Sequence, residues 1–445
     1  MMNKILSLLV IILFVQAANV KAQEAWTLEK CITYALDNNI TIKRQEVNNQ
    51  LQQTKLDQSK LNRLPDLNGR TSYGLSYGYT WVQQAAQNIE VNNSSFSLGV
   101  GSSVDVFNGF NLSNKIKQNQ IDLMATMALA EEIKNDISLR ITSQYLQILF
   151  DKELLAIAEE QYEVTNQQVE RSKKLVDAGS QAKGSYLEIK SQAAKEALNV
   201  TTQKNNLGLS LLNLAQLLDL EYVAEFDVIS PVIPEVNEIN LAKPVDVYKM
   251  AIDIMPEIKG ANYNLQSSEV EVDIAKSGYY PRLSIDGSWG ANAIWLEDDP
   301  DKINRPLGDQ INSTKNLYIG ATLNVPIFNK LQTRNSVKNA RVRVIDANYA
   351  LSQAKLTLRK EIQQAYADAL AAHNKYISSN EAVESFKESF RYTEEKFNVG
   401  LVNSVDYNVA KTDFTRAQSN LIQSKYEYIL RNKILDFYKG VPIQL

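Results

Sequence analysis

The chain of 445 residues holds one cysteine, Cys31, and one histidine, His373. A disulfide within the chain, a His- or Cys-rich metal centre and a Cys–His nucleophile pair are therefore mostly excluded. Glycine (17) and proline (10) are scarce for this length, which favours long uninterrupted helices. Charge of one sign is not in excess: 47 Lys and Arg stand against 51 Asp and Glu, and the net charge of −4 argues against a phosphate-binding surface and a nucleic-acid partner. Beyond the first residues no stretch approaches the ~20 continuous apolar residues of a membrane-spanning helix. A GxxxxGK[ST] phosphate loop is absent. His373 follows Ala371 and Ala372 within a helical pattern and reads as a helix-surface or seam residue rather than a base. No catalytic residue, cofactor or metal site is expected.

What is present begins with a leader. Lys4 precedes an apolar run from Ile5 to Val15, and Val20-Lys21-Ala22 has the small-x-small pattern of a cleavage site. The run is short for a membrane anchor, so residues 1–22 read as a signal peptide, with the remaining chain exported across a bacterial inner membrane.

The rest is a duplication. At an offset of 221, Phe107-Asn108 falls on Phe328-Asn329, Tyr145 on Tyr366, Gly179 on Gly400 and Tyr186 on Tyr407. Upstream the offset is 216, with Ala35 on Ala251 and Pro65 on Pro281. The organisation is then a first repeat over 23–220, a connector over 221–243 containing Pro231 and Pro234, a second repeat over 244–440 and a tail over 441–445. Each repeat reads helix, strand, strand, long helix, helix. In the first, one helix covers 27–62 and a long one 109–177. Ile133, Ile137, Ile141, Tyr145 and Ile148 form one apolar stripe on the long helix, and Leu139, Leu146, Phe150, Leu154 and Ile157 a second. Two seams suit a helix with neighbours on both sides, whereas a two-stranded coiled coil needs one. About 69 residues in a helix span ~100 Å. The second half repeats this over 330–397. Each long helix ends at a glycine, Gly179 or Gly400, as the left-handed residue after a helix requires.

Four segments alternate: 67–79, 96–106, 283–295 and 317–325. Each puts mainly Leu, Val, Ile, Ala or aromatic residues on one face and mainly small or polar residues on the other. Alternation alone fits a soluble sandwich with one buried face as well as a barrel facing lipid. Aromatic residues at the strand ends favour the barrel. Trp81, Trp289 and Trp295 lie on or beside the strands, with Trp81 and Trp295 towards the loops, and Phe107, Phe328, Tyr279 and Tyr280 lie towards the helices, as two girdles. Four strands cannot close a barrel in lipid, because every backbone polar group there needs a partner. Copies of the chain must pool strands. Two copies give eight, with an interior filled by side chains, and three give twelve, with room for a pore. The hairpin loops, about 80–95 and 296–316, would emerge outside, and the acidic run Glu297, Asp298, Asp299, Asp301 reads as solvated loop rather than an ion site.

The leader, the order of elements in both repeats and the run Val399-Gly400-Leu401-Val402-Asn403-Ser404-Val405-Asp406-Tyr407 resemble the TolC-type outer membrane efflux proteins. The resemblance covers essentially the whole chain after the leader. It implies an all-α long-helix tunnel plus an antiparallel β-barrel: a homotrimer in which a 12-stranded outer-membrane barrel joins a 12-helix periplasmic α-barrel. It implies an exit duct of a tripartite efflux or secretion system, meeting a periplasmic adaptor (membrane fusion) protein and an inner-membrane transporter of RND or ABC type, in contact with outer-membrane lipid. The family narrows the tunnel mouth with an Asp just after the glycine turn of the second repeat, matched by Asp406. A second Asp found in some members is Val409 in this chain, an Arg that holds some members shut is Val402, and the first-repeat counterpart is Ser185. On a three-fold axis Asp406 becomes a ring of three carboxylates that binds cations; alternatively it is the acidic start of a solvated helix. Gly179 and Gly400 are hinge or contact points. Exposed Ala178, Leu401 and Val402 suit docking of adaptor hairpins. A periplasmic coiled-coil adaptor or structural protein is the alternative, though it has no need of four alternating strands. Small-molecule efflux and type I protein secretion share this architecture.

Overall fold

The computed structural model describes residues 26–82, 86–90, 92–221, 226–231, 241–297 and 304–445. The expected leader, Pro234 of the connector and the acidic residues Asp298, Asp299 and Asp301 lie outside the described residues. Among those described, the elements run α1 (Leu28–Asn38), α2 (Ile40–Leu61), β1 (Asn68–Ser76), β2 (Tyr79–Val82), β3 (Gln87–Glu90), β4 (Asn93–Asn108), α3 (Asn111–Asp177), α4 (Lys183–Leu217), α5 (Pro244–Ile254), α6 (Pro256–Lys276), β5 (Arg282–Leu296), α7 (Leu307–Thr314), β6 (Asn316–Asn324), α8 (Gln332–Asn398) and α9 (Ser404–Tyr438). The two long helices have 67 residues each and the helices after them 35 each. No helix among the described residues is long and apolar enough to cross a membrane. The described residues form two compact units, one within 1–46, 129–258 and 354–445, the other within 47–128 and 259–353, so each draws on both halves of the sequence.

The first unit is helical. Ile137, Ile141, Tyr145 and Ile148 of the first expected stripe are buried in its main core with Leu28, Cys31, Ala35, Leu214, Leu218 and Val228. Burial of each large aliphatic side chain contributes about 1.5–3 kcal/mol. Of the second stripe Leu146 is buried, Phe150 packs against the same core, and Leu139, Leu154 and Ile157 are half-buried. Burial pushes the Cys31 thiol up to about 12, which removes its nucleophilicity. The Tyr145 hydroxyl donates to the Ile229 carbonyl at 2.6 Å and Lys152 donates to that of Val228 at 2.7 Å, tying the segment 226–231 to α3. The helix expected over 27–62 is broken at Asn39. The Asn39 side chain accepts from the Thr41 N–H at 2.9 Å and donates to the Leu217 carbonyl, acting as a cap between two helices rather than a link within one. The equivalent break in the second repeat sits at Met255, with Pro256 opening α6.

An acidic group lies in the same unit. Burial, then the neighbouring charges of Asp136 and Glu361, raise the Glu132 pKa. Burial, then Glu132, Glu361 and Asp136, raise that of Glu257. A carboxyl whose folded pKa is raised contributes stability that is fully present below its unfolded value and is lost as pH rises through the folded value. The stability of the wild-type protein relative to Glu257→Gln is therefore expected to grow as pH falls from neutral towards 4.5, the ordinary value of the group. Denaturation midpoints of both proteins across that window check this, and parallel pH curves would contradict it.

The second unit carries the sheet, in the order β1-β4-β5-β6 with every pair antiparallel; β2 and β3 form a separate two-stranded ladder. The register joins the four alternating sets. Gly69, Val100, Trp289 and Leu317 form one row, Tyr73, Phe96 and Ala293 another, and Val104, Ile285 and Ala321 a third. The opposite face carries Ser72, Ser97 and Asn292, with the two serine hydroxyls 2.6 Å apart. The register shifts at one place. A bulge between Asp105 and Phe107 pairs Phe107 with Leu283, so Phe107 and not Val106 continues the apolar face. The loop expected over 296–316 contains helix α7. Beyond the reach of β6, α7 and its approach replace a strand along β5. The Asn292, Ile294 and Leu296 N–H groups donate to Thr314 Oγ1, Gln310 Oε1 and Asn304 Oδ1 at 2.8–2.9 Å. The outer edges of β1 and β6 pair with no strand among the described residues.

Strand passes to helix through two consecutive left-handed residues in each repeat, Gly109-Phe110 (φ 64° and 67°) and Lys330-Leu331 (φ 55° and 61°). A Cβ on Gly109 would stand 2.6 Å from the Ser277 carbonyl oxygen, so glycine is required there for space as well as for φ.

Candidate functional site

The first unit contains two helix–turn–helix tips, and each is built from its glycine. The Ser180 N–H donates to the Leu175 carbonyl at 2.8 Å and the Gly179 N–H to Val176 at 2.9 Å. Leu401 donates likewise to Lys396 at 2.8 Å and Gly400 to Phe397 at 3.1 Å. With φ of 73° and 77° at the glycines, both tips are Schellman turns. The following helices start differently. Asn403 caps α9, its side chain accepting from the Asp406 N–H at 2.9 Å, whereas Ala182 before α4 offers no side-chain cap.

The tips meet around a cavity of about 280 Å3. Ser185, Ile189, Arg171 and Ser172 line it from the first repeat, and Phe397, Gly400, Val402 and Ser404 from the second. Arg171 donates to Asn398 Oδ1 at 2.8 Å, and the Ser404 hydroxyl donates to the Glu188 carboxylate. Phe397 stacks on Tyr407 at 4.6 Å between ring centroids and packs against the apolar cluster of Val169, Ile189 and Ala193. Of the residues singled out in the sequence, Ser185, Val402 and Gly400 thus come together at one cavity. Asp406 is exposed in the first turn of α9 and does not line it; Ala178, Gly179 and Leu401 are exposed on the tips.

Sequence reasoning missed the charged clip behind this cavity. Lys411 of α9 is 3 % exposed and its ammonium donates to the Gln161 carbonyl at 2.9 Å, to Thr165 Oγ1 and to the Glu196 carboxylate, itself 13 % exposed, at 3.3 Å. Burial outweighs Glu196 and holds the Lys411 pKa below its ordinary value. One lysine thereby joins α9 of the second repeat to α3 and α4 of the first. The available signal was spacing: Ser404, Tyr407 and Lys411 lie at i, i+3 and i+7, on one buried face.

The aromatic residues proposed as girdles divide. Trp289 and Trp295 lie on β5, the indole of Trp295 donating to the Arg305 carbonyl at 3.1 Å. Trp81 is in β2, on the separate ladder. Phe107 meets Phe110 edge-on, and Phe110 meets Tyr280. Tyr279, Tyr280 and Phe328 are exposed. His373 is buried with its ring against Tyr428, and no group of metal-ligating side chains occurs among the described residues.

Known proteins share this arrangement. The chain is 21 % identical over 399 residues to outer membrane protein TolC of Salmonella enteritidis, which covers 87 % of this chain and 76 % of that protein. The crystal structure of the Campylobacter jejuni CmeC outer membrane channel superimposes with a TM-score of 0.76 at 18 % identity, over 95 % of this chain and 88 % of that one. The outer membrane protein VceC of Vibrio cholerae superimposes at 0.74 with 17 % identity, over 93 % and 96 % of the two chains. The model of the outer membrane efflux protein family matches residues 31–219 and 247–440, one stretch in each repeat. With its duplicated helices, its small antiparallel sheet and this match on both halves, the chain belongs to the outer membrane efflux protein family.

Proposed function

We propose that three copies of this outer-membrane efflux channel pool their sheets into a twelve-stranded barrel, and their helices into a twelve-helix periplasmic tunnel. The observation that carries this is the open sheet: one face is apolar across all four strands, and β1 and β6 leave their outer edges unpaired among the described residues. In lipid such edges need partners. β1 and β6 run in opposite directions, so β6 of one copy can pair antiparallel with β1 of the next, and repetition about an axis closes the wall. The channel is passive. Substrate reaches it from an inner-membrane transporter through a periplasmic adaptor that docks on the tips, where exposed Ala178 and Leu401 offer an apolar contact next to half-buried Val402 in the tip cavity. The repeats meet the connector and tail as 23–220, 221–243, 244–440 and 441–445.

Mass measurement of detergent-extracted protein, with single-channel recording in planar bilayers, tests this. A particle of three chains that conducts ions is expected. A monomer, or an assembly that leaves the bilayer sealed under all conditions, would overturn it.

A further inference from the structure

A cavity of about 450 Å3 lies in the second unit between the end of α6 and the first turns of α8. Arg334, Lys338 and Arg341 line it from α8 and Tyr279 and Tyr280 from the turn after α6. The three cations recur at i, i+4 and i+7, on one face of the helix. Beside that face Val337 and Ala340 pack on Val272 of α6, which holds the stripe in place. Lys276, which also lines the cavity, is paired with Asp273, and nearby Arg343 with Glu271, yet Arg334, Lys338 and Arg341 make no ion pair or hydrogen bond among the described residues.

The duplication supplies an internal control. The equivalent positions of α3 are Ser113, Lys117 and Gln120, and α3 forms the same 67-residue helix as α8. Folding of this element therefore does not require Arg334 or Arg341. The stripe also begins where the apolar face of the sheet ends. Ile327 is 93 % exposed and Phe328 76 %, a few residues before Arg334. Two half-exposed tyrosines stand at the same level, with an apolar ring and a polar tip each.

We propose that this cavity binds the headgroup of an anionic phospholipid in the periplasmic leaflet of the outer membrane. The guanidinium and ammonium groups hold the phosphate, the tyrosine hydroxyls meet the glycerol, and Ile327 and Phe328 lie against the acyl chains. This rests on the outer-membrane channel reading, because that reading puts the helix-side ends of the strands at the inner leaflet.

The test uses the full-length channel in mild detergent, with phosphatidylglycerol, phosphatidylcholine and inorganic phosphate added separately and bound lipid read by native mass spectrometry. Phosphatidylglycerol is expected to be retained in preference to phosphatidylcholine, and inorganic phosphate not to displace it. The variant R334S/R341Q, which installs the residues of the first repeat, is expected to bind it on the order of tenfold more weakly. The charge-retaining R334K/R341K should stay within a few-fold of wild type. Equal retention of the two lipids, displacement by inorganic phosphate, or unchanged binding by R334S/R341Q would each overturn the proposal. Outer-membrane fractionation is scored separately: its loss in the wild type would defeat the channel reading, whereas normal fractionation without lipid preference defeats the headgroup site alone.

Discussion

Lys411→Met is expected to cost about 3–5 kcal/mol, the largest stability loss of any single replacement at the tips. The substitution leaves the Glu196 carboxylate with its side chain 13 % exposed and without its cation, and removes one donor each from Thr165 Oγ1 and from the Gln161 carbonyl, which keeps the Thr165 hydroxyl at 3.0 Å. Removal of both charges is a different matter. A buried ion pair as a whole is a weak stabiliser even though each half alone is expensive to strand. The double variant Lys411→Met with Glu196→Leu should therefore recover most of the loss. The pH dependence has a definite sign. A lysine whose folded pKa is lowered contributes stability that is present above its unfolded value of 10.5 and is lost as pH falls through the folded value. Wild type should accordingly gain on the double variant as pH rises towards 10.5. Thermal unfolding followed by circular dichroism measures all of this; a Lys411→Met midpoint equal to that of wild type would show that the clip contributes nothing.

The contrast between what sequence reveals and what it hides follows from the range of each interaction. Period-two alternation is local, so the strands were readable and their register put the four apolar sets on one face. The bulge before Phe107 is a property of pairing with β5 and leaves no mark in β4 alone. Gly179 and Gly400 were readable because a left-handed residue after a helix selects glycine. Asn39 was not, because its capping role depends on Leu217, 178 residues away. Helix α7 has eight residues and begins at Leu307 after a proline cap, too short for helical periodicity to stand out from a polar loop. The clip was the least legible. Lys411 meets Gln161 across 250 residues and Glu196 across 215, and a lysine in an amphipathic helix reads as solvated until its neighbours are known. The pairing of Ser185 with Val402 at one cavity follows from the same duplication that the sequence displays, since the two turns are equivalent places in two copies of one design.

Asp406→Ala is expected to weaken divalent-cation block of the open channel by at least about tenfold and to raise its conductance. In the assembly proposed above each copy brings one Asp406 to the same height about the axis. A carboxylate about 6 Å from a divalent ion attracts it by roughly 1.4 kcal/mol in water, so three together supply roughly 4 kcal/mol before salt screening. The substitution spares the local fold. The contact that starts α9 is made by the backbone N–H of Asp406 to Asn403, and alanine keeps that N–H. What the helix loses is an acid near its N-terminus, a matter of about 0.3–1 kcal/mol. Two roles for the residue thus give different results. An acid that serves only the helix terminus would leave block unchanged while lowering the unfolding midpoint slightly. An acid that narrows the mouth would change block with little effect on stability. Asp406→Asn separates charge from size: if the three carboxylates act as charges, it should lose divalent block as fully as alanine does while conductance rises less. Val409 stands one turn further along and supplies no second carboxylate, so one substitution per chain should remove the whole of the acidic ring. Block that survives Asp406→Ala undiminished would move the constriction elsewhere, with the cavity lined by Ser185 and Val402 as the next place to probe.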